Sequence, residues 1–345
     1  MSMKLSICIA TFKRGPFIGE TLDSILAQME PEVEIVVVDG ASPDNTQEVM
    51  AGYTQRHKEI RYFREPANSG VDADFDKAVS YARGEYCWLM TDDDLLKHGA
   101  IAKVISALCE DDLVIVNSEV RNADLSEVFE ARRLGFDIDR IYRAEDREAL
   151  FAETAAYLSF IGCVVIRRSI WLARERSTYY GSLFIHVGVI FQSPPVMNVR
   201  VIAEPLITIR YGNAMWTSRS FEVWMFKWPQ LVWSFPDFSD TVKRKVCRHE
   251  PWRSAKALFH NRALGAYTVA EFRKYWQSDV GKVERLIAYV LSIFPASLAN
   301  LIMVIYFSTL AKPAQMALHD LLYSCNAVVL SRLAARILVR GKSLN

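Results

Sequence analysis

No Cys-x-x-Cys pair occurs in the chain, whose six cysteines, Cys8, Cys87, Cys109, Cys163, Cys247 and Cys325, are scattered, several inside apolar strand-like runs. That spacing speaks against a zinc site and for a reducing compartment. A secretory leader is also missing. MSMKLSICIATF holds only a short apolar run before Lys13 and Arg14 and has no small-residue cleavage site, so the bulk of the chain is expected to stay in the cytoplasm. Internal repeats and low-complexity tracts are absent as well. With 51% of 345 residues apolar, burying a core is easy. This excludes a disordered or fibrous protein and leaves room for one large α/β domain with a smaller appendage.

Net charge is nearly absent at +1, yet the charges are unevenly spread. Residues 1–242 carry 25 Lys/Arg against 35 Asp/Glu, residues 243–285 carry 11 against 4, and residues 312–345 carry 5 against 1. A basic second half after an acidic first half points to an anionic partner near the C-terminal part, either a membrane surface or nucleic acid. Residues 286–311 are 26 positions without a charge, flanked by Arg285 and Lys312, long enough to cross a bilayer. Pro295, Ser292, Ser297 and Asn300 weaken the spanning reading. A Pro-broken hairpin dipping into one leaflet fits the same residues, and so does a buried hairpin in a soluble core. Beyond it, Arg332, Arg336 and Arg340 recur at four-residue spacing with Leu333, Ile337 and Leu338 between them, a basic amphipathic helix suited to an anionic membrane surface. The expected organisation is one domain over 1–242, with halves 1–117 and 118–242, and a basic helical region over 243–345 whose segment 286–311 contacts the membrane.

Along the first half, KLSICIA (4–10), VEIVVVD (33–39), IRYFRE (60–65), EYCWLM (85–90) and DLVIVN (112–117) read as strands. The second and fifth are the near-continuous apolar runs of buried parallel strands. Helical patterns over 17–29, 44–57, 72–82 and 99–109 alternate with them, which predicts a doubly wound, mostly parallel α/β sheet. The stretch 158–167 reads as a further strand, and 179–192 as a loop entering a helix. Ligands of such sheets bind beyond the carboxyl ends of the strands. That rule selects Thr11-Phe12-Lys13-Arg14, Asp39-Gly40-Ala41-Ser42, the turn 66–70 with Asn68, and Thr91-Asp92-Asp93-Asp94. Asp44 and Asp72 stand where they could cap the second and third helices.

The acidic run carries the chemistry. Three adjacent aspartates at the end of an apolar strand crowd like charges where the fold wants burial, at a cost unless a cation compensates. A hard divalent ion, Mn2+ or Mg2+, suits carboxylate oxygens and takes substrate phosphates as further ligands. The plainer alternative is an acidic loop capping the helix that follows His98.

The set SICIATFKR, VVVDGASPDNT and EPANSGVDADFDKAVSYARGEYCWLMTDDDLL resembles the catalytic core of family 2 glycosyltransferases of the GT-A fold. Within that family it is most similar to abequosyltransferase-like O-antigen sugar transferases. The likeness covers roughly residues 4–110 and weakens beyond 120. It implies nucleotide-sugar contacts for Thr11, Phe12, Arg14, Asp39, Ala41, Asn68, Asp72, Asp92 and Asp93: Thr11 at the nucleotide, Asp39 accepting from the nucleobase, Asp92 touching ribose or donor sugar. Asp93 resembles the metal ligand of the DxD-type motif and Asp94 a neighbour binding through water. Where many members read Asp-x-Asp-Asp, this chain has Thr91 first, so only the last three positions are acidic. Inverting members carry a carboxylate base at the start of a later helix. The equivalent stretch here, 180–187, has no acid, so His186 is the candidate catalytic base, its ordinary pKa suiting proton transfer near neutrality; a third metal ligand and a hydrogen-bonded structural histidine remain open. Arg210, Trp216 and Arg219 lie in the polar, aromatic stretch IRYGNAMWTSR and could close over diphosphate or acceptor sugar, against plain packing for Trp216 and solvent for Arg219.

The expectation is a metal-dependent enzyme of the cytoplasmic face of the inner membrane, moving a single sugar from a nucleotide-sugar donor to a lipid-linked saccharide in O-antigen-like polysaccharide biosynthesis. No nucleic-acid partner is expected, and homo-oligomerisation is left open. The Gln-x-x-Arg-Trp signature of processive synthases is absent. The alternatives are a polyprenyl-phosphate glycosyltransferase and, in another class, a non-catalytic sugar or nucleic-acid binding module.

Overall fold

The computed structural model describes residues 3–108, 110–213, 219–276, 280–309 and 315–340. Two compact units divide the chain, one formed by residues 1–213 and 231–247, the other by 214–230 and 248–345.

The first unit begins β1 (Leu5–Thr11), α1 (Ile18–Leu26), β2 (Val33–Asp39), α2 (Thr46–Arg56), β3 (Ile60–Arg64), α3 (Val71–Tyr81), β4 (Tyr86–Met90), β5 (Leu95–Leu96) and α4 (Ala100–Ala107). It continues through β6 (Leu113–Arg121), β7 (Val128–Glu130), β8 (Arg140–Arg143), α5 (Arg147–Thr154), β9 (Val164–Arg167), α6 (Arg168–Ala173), α7 (Ile185–Phe191) and β10 (Asn198–Arg210). Every residue of β1 and β2 is buried, as expected of strands covered on both faces. In α1 the spacing of Ile18, Leu22 and Ile25 turns one apolar stripe onto the sheet, where it joins Leu5, Ile7, Ile9 and Trp88 in the core.

The strands form one mixed sheet in the order β3-β2-β1-β4-β9-β6-β10-β5. From β3 to β4 all pairs are parallel. Beyond β4 the sheet is mixed: β9 lies antiparallel between β4 and β6, β10 runs parallel with β6, and β5 pairs antiparallel with β10. The apolar run Val-Val-Ile in β9 has no feature that encodes strand direction. That strand also starts later than 158. Residues Tyr157–Ser159 and Ile161–Cys163 wind into 3-10 turns.

Register aligns the ends of the strands that matter. Thr11 pairs with Asp39 across β1 and β2, and Ile9 with Met90 across β1 and β4, so the segments after β1, β2 and β4 emerge on one edge. Two glycines serve this edge differently. Gly70, with φ 90°, makes the turn into α3, while Gly84 permits close approach, since a Cβ there would lie 2.6 Å from the Ser6 nitrogen.

The second unit is helical in the segments Ala255–Leu264, Val269–Tyr275, Lys282–Ile293, Ala296–Thr309, Gln315–Tyr323 and Val329–Arg340. Pro295 breaks the uncharged run into two helices bent by 98°. Among the described residues no single helix is long and apolar enough to cross a membrane. The hairpin packs Ala288, Ala299, Met303 and Val304 inside, yet it buries polar groups and exposes apolar ones as well. Ser292, Asn300 and Ser308 are at most 2% exposed, whereas Leu286, Val290, Ile293, Leu298, Ile302 and Ile305 are 41–61% exposed. Asn300 is the hub of the interior, donating to the Leu321 carbonyl at 2.8 Å and accepting from the Ser331 hydroxyl at 2.7 Å.

Candidate functional site

The segments after β1 and β2 are bound together by their own backbones. Gly40 N donates to the Thr11 carbonyl at 3.0 Å, Lys13 N to the Ser42 hydroxyl at 3.0 Å, Arg14 N to Thr46 Oγ1 at 3.1 Å and Gly15 N to Asp44 at 3.2 Å. Lys13 and Ala41 both adopt left-handed backbone, φ 58° and 60°, a strain of about 1 kcal/mol or more that persists only where the surroundings over-determine it. Asp44 accepts from Thr46 N at 3.2 Å, in keeping with its expected place at the start of α2.

Asp39 is fully buried. Its two oxygens accept from Ser42 N at 2.8 Å and the Tyr62 hydroxyl at 2.6 Å, so in this conformation it is closed behind the turn it stabilises. Thr11 and Phe12 stand at the same edge. Thr11 is 2% exposed and its side chain interacts with the Asp92 carboxylate, helping to hold that group down. Asn68 accepts from Gly70 N at 2.8 Å and lies beside Gly40, where Asp74, missed in the sequence, also arrives: a Cβ on Gly40 would be 2.7 Å from Asp74 Oδ2. Burial raises the Asp74 carboxyl above its ordinary range.

Beyond β4 the acidic run meets two arginines from distant parts of the chain. Arg14 spans Asp92 and Asp93, at 3.4 and 3.2 Å, and donates to the Asn213 carbonyl at 3.0 Å. Arg210, at the end of β10, donates its backbone N to Asp94 Oδ1 at 2.7 Å, its Nε to the Asp93 carbonyl at 3.0 Å and a terminal nitrogen to the Ala123 carbonyl at 2.7 Å, and pairs with Glu20. This corrects its reading as a group that closes over a ligand. At 8% exposure with its fork committed, Arg210 braces the acidic loop. Asp94 is a brace too, its second oxygen taken by the Thr91 hydroxyl.

The electrostatics follow from crowding. Burial, then the Asp93 charge, push Asp92 up to about 7 against the pull of Arg14. Asp93 is raised by burial and opposed by Arg14, and Asp94 is raised well above the carboxylate range by burial and by Asp93. The cluster therefore favours a proton or an added cation. Among the described residues no three Asp, Glu, His or Cys side chains converge on one point. With Asp94 turned inward, Asp92 and Asp93 are the available donors. One or two carboxylates completed by water and substrate phosphate is the usual magnesium arrangement, so the donor set fits a metal that arrives with a phosphorylated ligand.

Burial decides the place of His186, and the direction of its carboxylate that of Asp72. His186 is 1% exposed on a helix buried at every position, with Nε2 2.5 Å from the Leu158 carbonyl and no partner for Nδ1 among the described residues. Desolvation lowers it to about 4. It is a neutral core histidine, not a base facing substrate. Asp72 caps this helix rather than α3, accepting from Leu183 N at 2.8 Å and Ile185 N at 3.1 Å. Arg219 belongs to the second unit, half-exposed and 3.5 Å from Glu222. Trp216 lies outside the described residues.

Residues 6–171 match the family model described as glycosyl transferase family 2. Over 226 residues the chain is 27% identical to the abequosyltransferase RfbV of Salmonella typhimurium, covering 61% of this chain and 68% of that protein. It is 26% identical over 127 residues to the glycosyltransferase GlyG of Streptococcus pneumoniae, covering 37% of this chain and only 42% of that protein. Its fold is similar to the crystal structure of residues 1–349 of TarS from S. aureus, with a TM-score of 0.55 at 13% identity over 99% of this chain and 92% of that one. The TarS complex with UDP aligns with a TM-score of 0.52 at 13% identity, over the same 99% and 92%.

Proposed function

We propose that this glycosyltransferase, whose residues 6–171 match the glycosyl transferase family 2 model, moves one sugar from a nucleotide-sugar donor to a lipid-linked saccharide. The reading includes O-antigen-like polysaccharide as the product and the cytoplasmic face of the inner membrane as the place of action. The observation that carries it is the meeting of Arg14, Asp92 and Asp93 at the carboxyl edge of β1 and β4. Likeness to an abequosyltransferase supports the product class.

Breaking the bond between anomeric carbon and diphosphate leaves negative charge on the departing group, and positive charge aimed there lowers the barrier. Arg14 is the chain's own cation at this point. With no donor bound it offsets Asp92 and Asp93, and its planar fork suits phosphate oxygens when the donor enters. Arg210 and Asp94 hold the acidic loop so that Asp92 and Asp93 keep their positions. A divalent ion, Mn2+ or Mg2+, would be held by Asp93 and Asp92 and would supply Lewis-acid stabilisation of the leaving diphosphate. Thr11, buried beside Asp92, would stand at the nucleotide, with Phe12, Ala41 and Asn68 at the same strand-end edge.

Membrane contact is supported by the apolar residues on the hairpin's outer face, together with exposed Arg332 and Arg336 on the last helix. The test is transfer by the intact chain from UDP-, GDP-, CDP- and dTDP-sugars to a lipid-linked saccharide, with manganese present and absent. Transfer that vanishes in Asp93→Asn supports the reading. No transfer from any donor would sink it, and transfer only to a lipid phosphate lacking saccharide would redirect it to the polyprenyl-phosphate alternative.

A further inference from the structure

We propose that a cavity in the helical unit seats the aliphatic chain of the phosphorylated lipid that carries the acceptor. The inference rests on the lipid-linked acceptor proposed above and names the part of this chain that would hold the lipid. The cavity has a volume of about 540 Å³ and is lined by residues between Trp252 and Ala288, a size within the range of small-molecule sites. Its walls are apolar. Leu258, Trp276 and Ala288 are at most 2% exposed, and Trp252 and Ile287 complete the lining.

Three features point to an amphiphile with one apolar chain. First, the lining runs without interruption onto the outer face of Lys282–Ile293: Val283 and Ile287 line the cavity while 73% and 45% exposed, and Leu286, Val290 and Ile293 follow on that helix at 61%, 47% and 51%. An alkyl chain could move from that face into the cavity without crossing water, as the hydrophobic effect requires. Second, the rim offers one uncommitted cation. Arg253 is already paired with Glu250 at 2.8 Å and with Glu284, itself part of the lining, at 3.0 Å, whereas Lys282 makes no ion pair among the described residues, which leaves its ammonium for a phosphate. Third, the Trp276 indole N–H is buried without an acceptor among the described residues. Native proteins rarely leave such a donor unmet, and a head-group oxygen would satisfy it. A peptide would satisfy none of the three as economically, since its backbone needs partners that these walls lack.

The probe is dodecyl phosphate, titrated calorimetrically below its micellar concentration into the intact chain, with inorganic phosphate as control. The expected result is saturable one-to-one binding of dodecyl phosphate and none of inorganic phosphate. Ala255→Trp, an exposed position on the lining, should fill the mouth and weaken binding at least about tenfold, the loss expected from excluding a few methylenes. Lys282→Glu should weaken it by about threefold or more through charge reversal. Ala255→Trp should still bind phosphatidylglycerol vesicles, because the outer helix face is untouched; parallel loss of both would assign the lipid to the bilayer surface and overturn the cavity. Equal affinity in Ala255→Trp and Lys282→Glu, or no binding by the unaltered chain, would overturn it as well. Thermal melting with nucleotide diphosphates and manganese judges the transferase reading separately. Its failure to shift in the unaltered chain would sink that reading while the titration still decides whether the cavity takes a lipid.

Discussion

The two units distribute polar groups in opposite ways. In the first, an apolar sheet pushes its charges to one edge, where Asp92, Asp93 and Asp94 are buried together against Arg14 and Arg210. In the second, Ser292, Asn300 and Ser308 are buried among Ala299, Met303 and Val304, while Leu286, Ile293, Leu298, Ile302 and Ile305 face outward. Each breaks the rule for a water-soluble fold at one place. On the proposed function, the difference teaches what would complete each: a cation beside the first unit's carboxylates and an apolar cover over the second unit's exposed face. Local rules fail where a ligand is to complete them.

The sharpest way to break the comparison is Asp93→Asn. Sugar transfer should fall by about 100-fold or more, the scale of losing one preorganised electrostatic contact, while thermal melting at neutral pH holds or improves because a crowded charge is gone. A fall in melting temperature that accounts for the lost transfer would contradict the assignment. Next in size is Asn300→Ala in the second unit. Its buried partners would be stranded, costing about 2–3 kcal/mol, measured by chemical denaturation. A neutral result would mean that the polar interior is incidental. Replacing Leu286, Val290 and Ile293 together by serine should weaken binding to phosphatidylglycerol vesicles by about tenfold or more with little change in stability, the reverse of the outcome for ordinary core residues.

Smaller effects separate the aspartates from the histidine. Asp92, raised to about 7 in the folded state, binds its proton more tightly there than in the unfolded chain, whose aspartates titrate near about 4. Its contribution to stability is therefore present at low pH and lost as pH rises from about 4 through about 7. Denaturation at pH 5 and pH 7.5 should show part of that slope disappear in Asp92→Asn. His186, lowered to about 4, stays neutral across the working range. His186→Gln should leave the pH profile of turnover between 6 and 8 unchanged and cost about 1–2 kcal/mol of stability through the bond to Leu158. A lost basic limb in that profile would restore the histidine as a base.

Much of the first unit was legible in the sequence because its signals are local. β1 to β4 appear within a residue of their expected limits, since unbroken apolar runs mark buried parallel strands whatever surrounds them, and the strand-end rule brought Thr11, Asp39, Asn68 and Asp92 to one edge. Long-range pairing was not legible. That Arg14 would lie against Asp92 and Asp93, Arg210 against Asp94 and Glu20, and Asp72 on the helix bearing His186 depends on contacts that span much of the chain. One miss had a local warning. The segment Ile-His-Val-Gly-Val-Ile-Phe is apolar on every side of its helix, the mark of a buried element, and its histidine is buried with it. In the second unit the uncharged run was plain, but only Pro295 hinted that it would fold back, and which polar residues turn inward was set by packing.

The central claim is that the Arg14, Asp92 and Asp93 edge binds a nucleotide diphosphate with a divalent ion. Thermal melting of the intact chain and of Asp93→Asn, with UDP, CDP, GDP or dTDP and with manganese present or absent, tests it most directly, since a ligand that binds only the folded state raises its stability. The account predicts a rise for at least one nucleotide that is larger with manganese and lost in Asp93→Asn. No rise under any condition, or an equal rise in the variant, would contradict it.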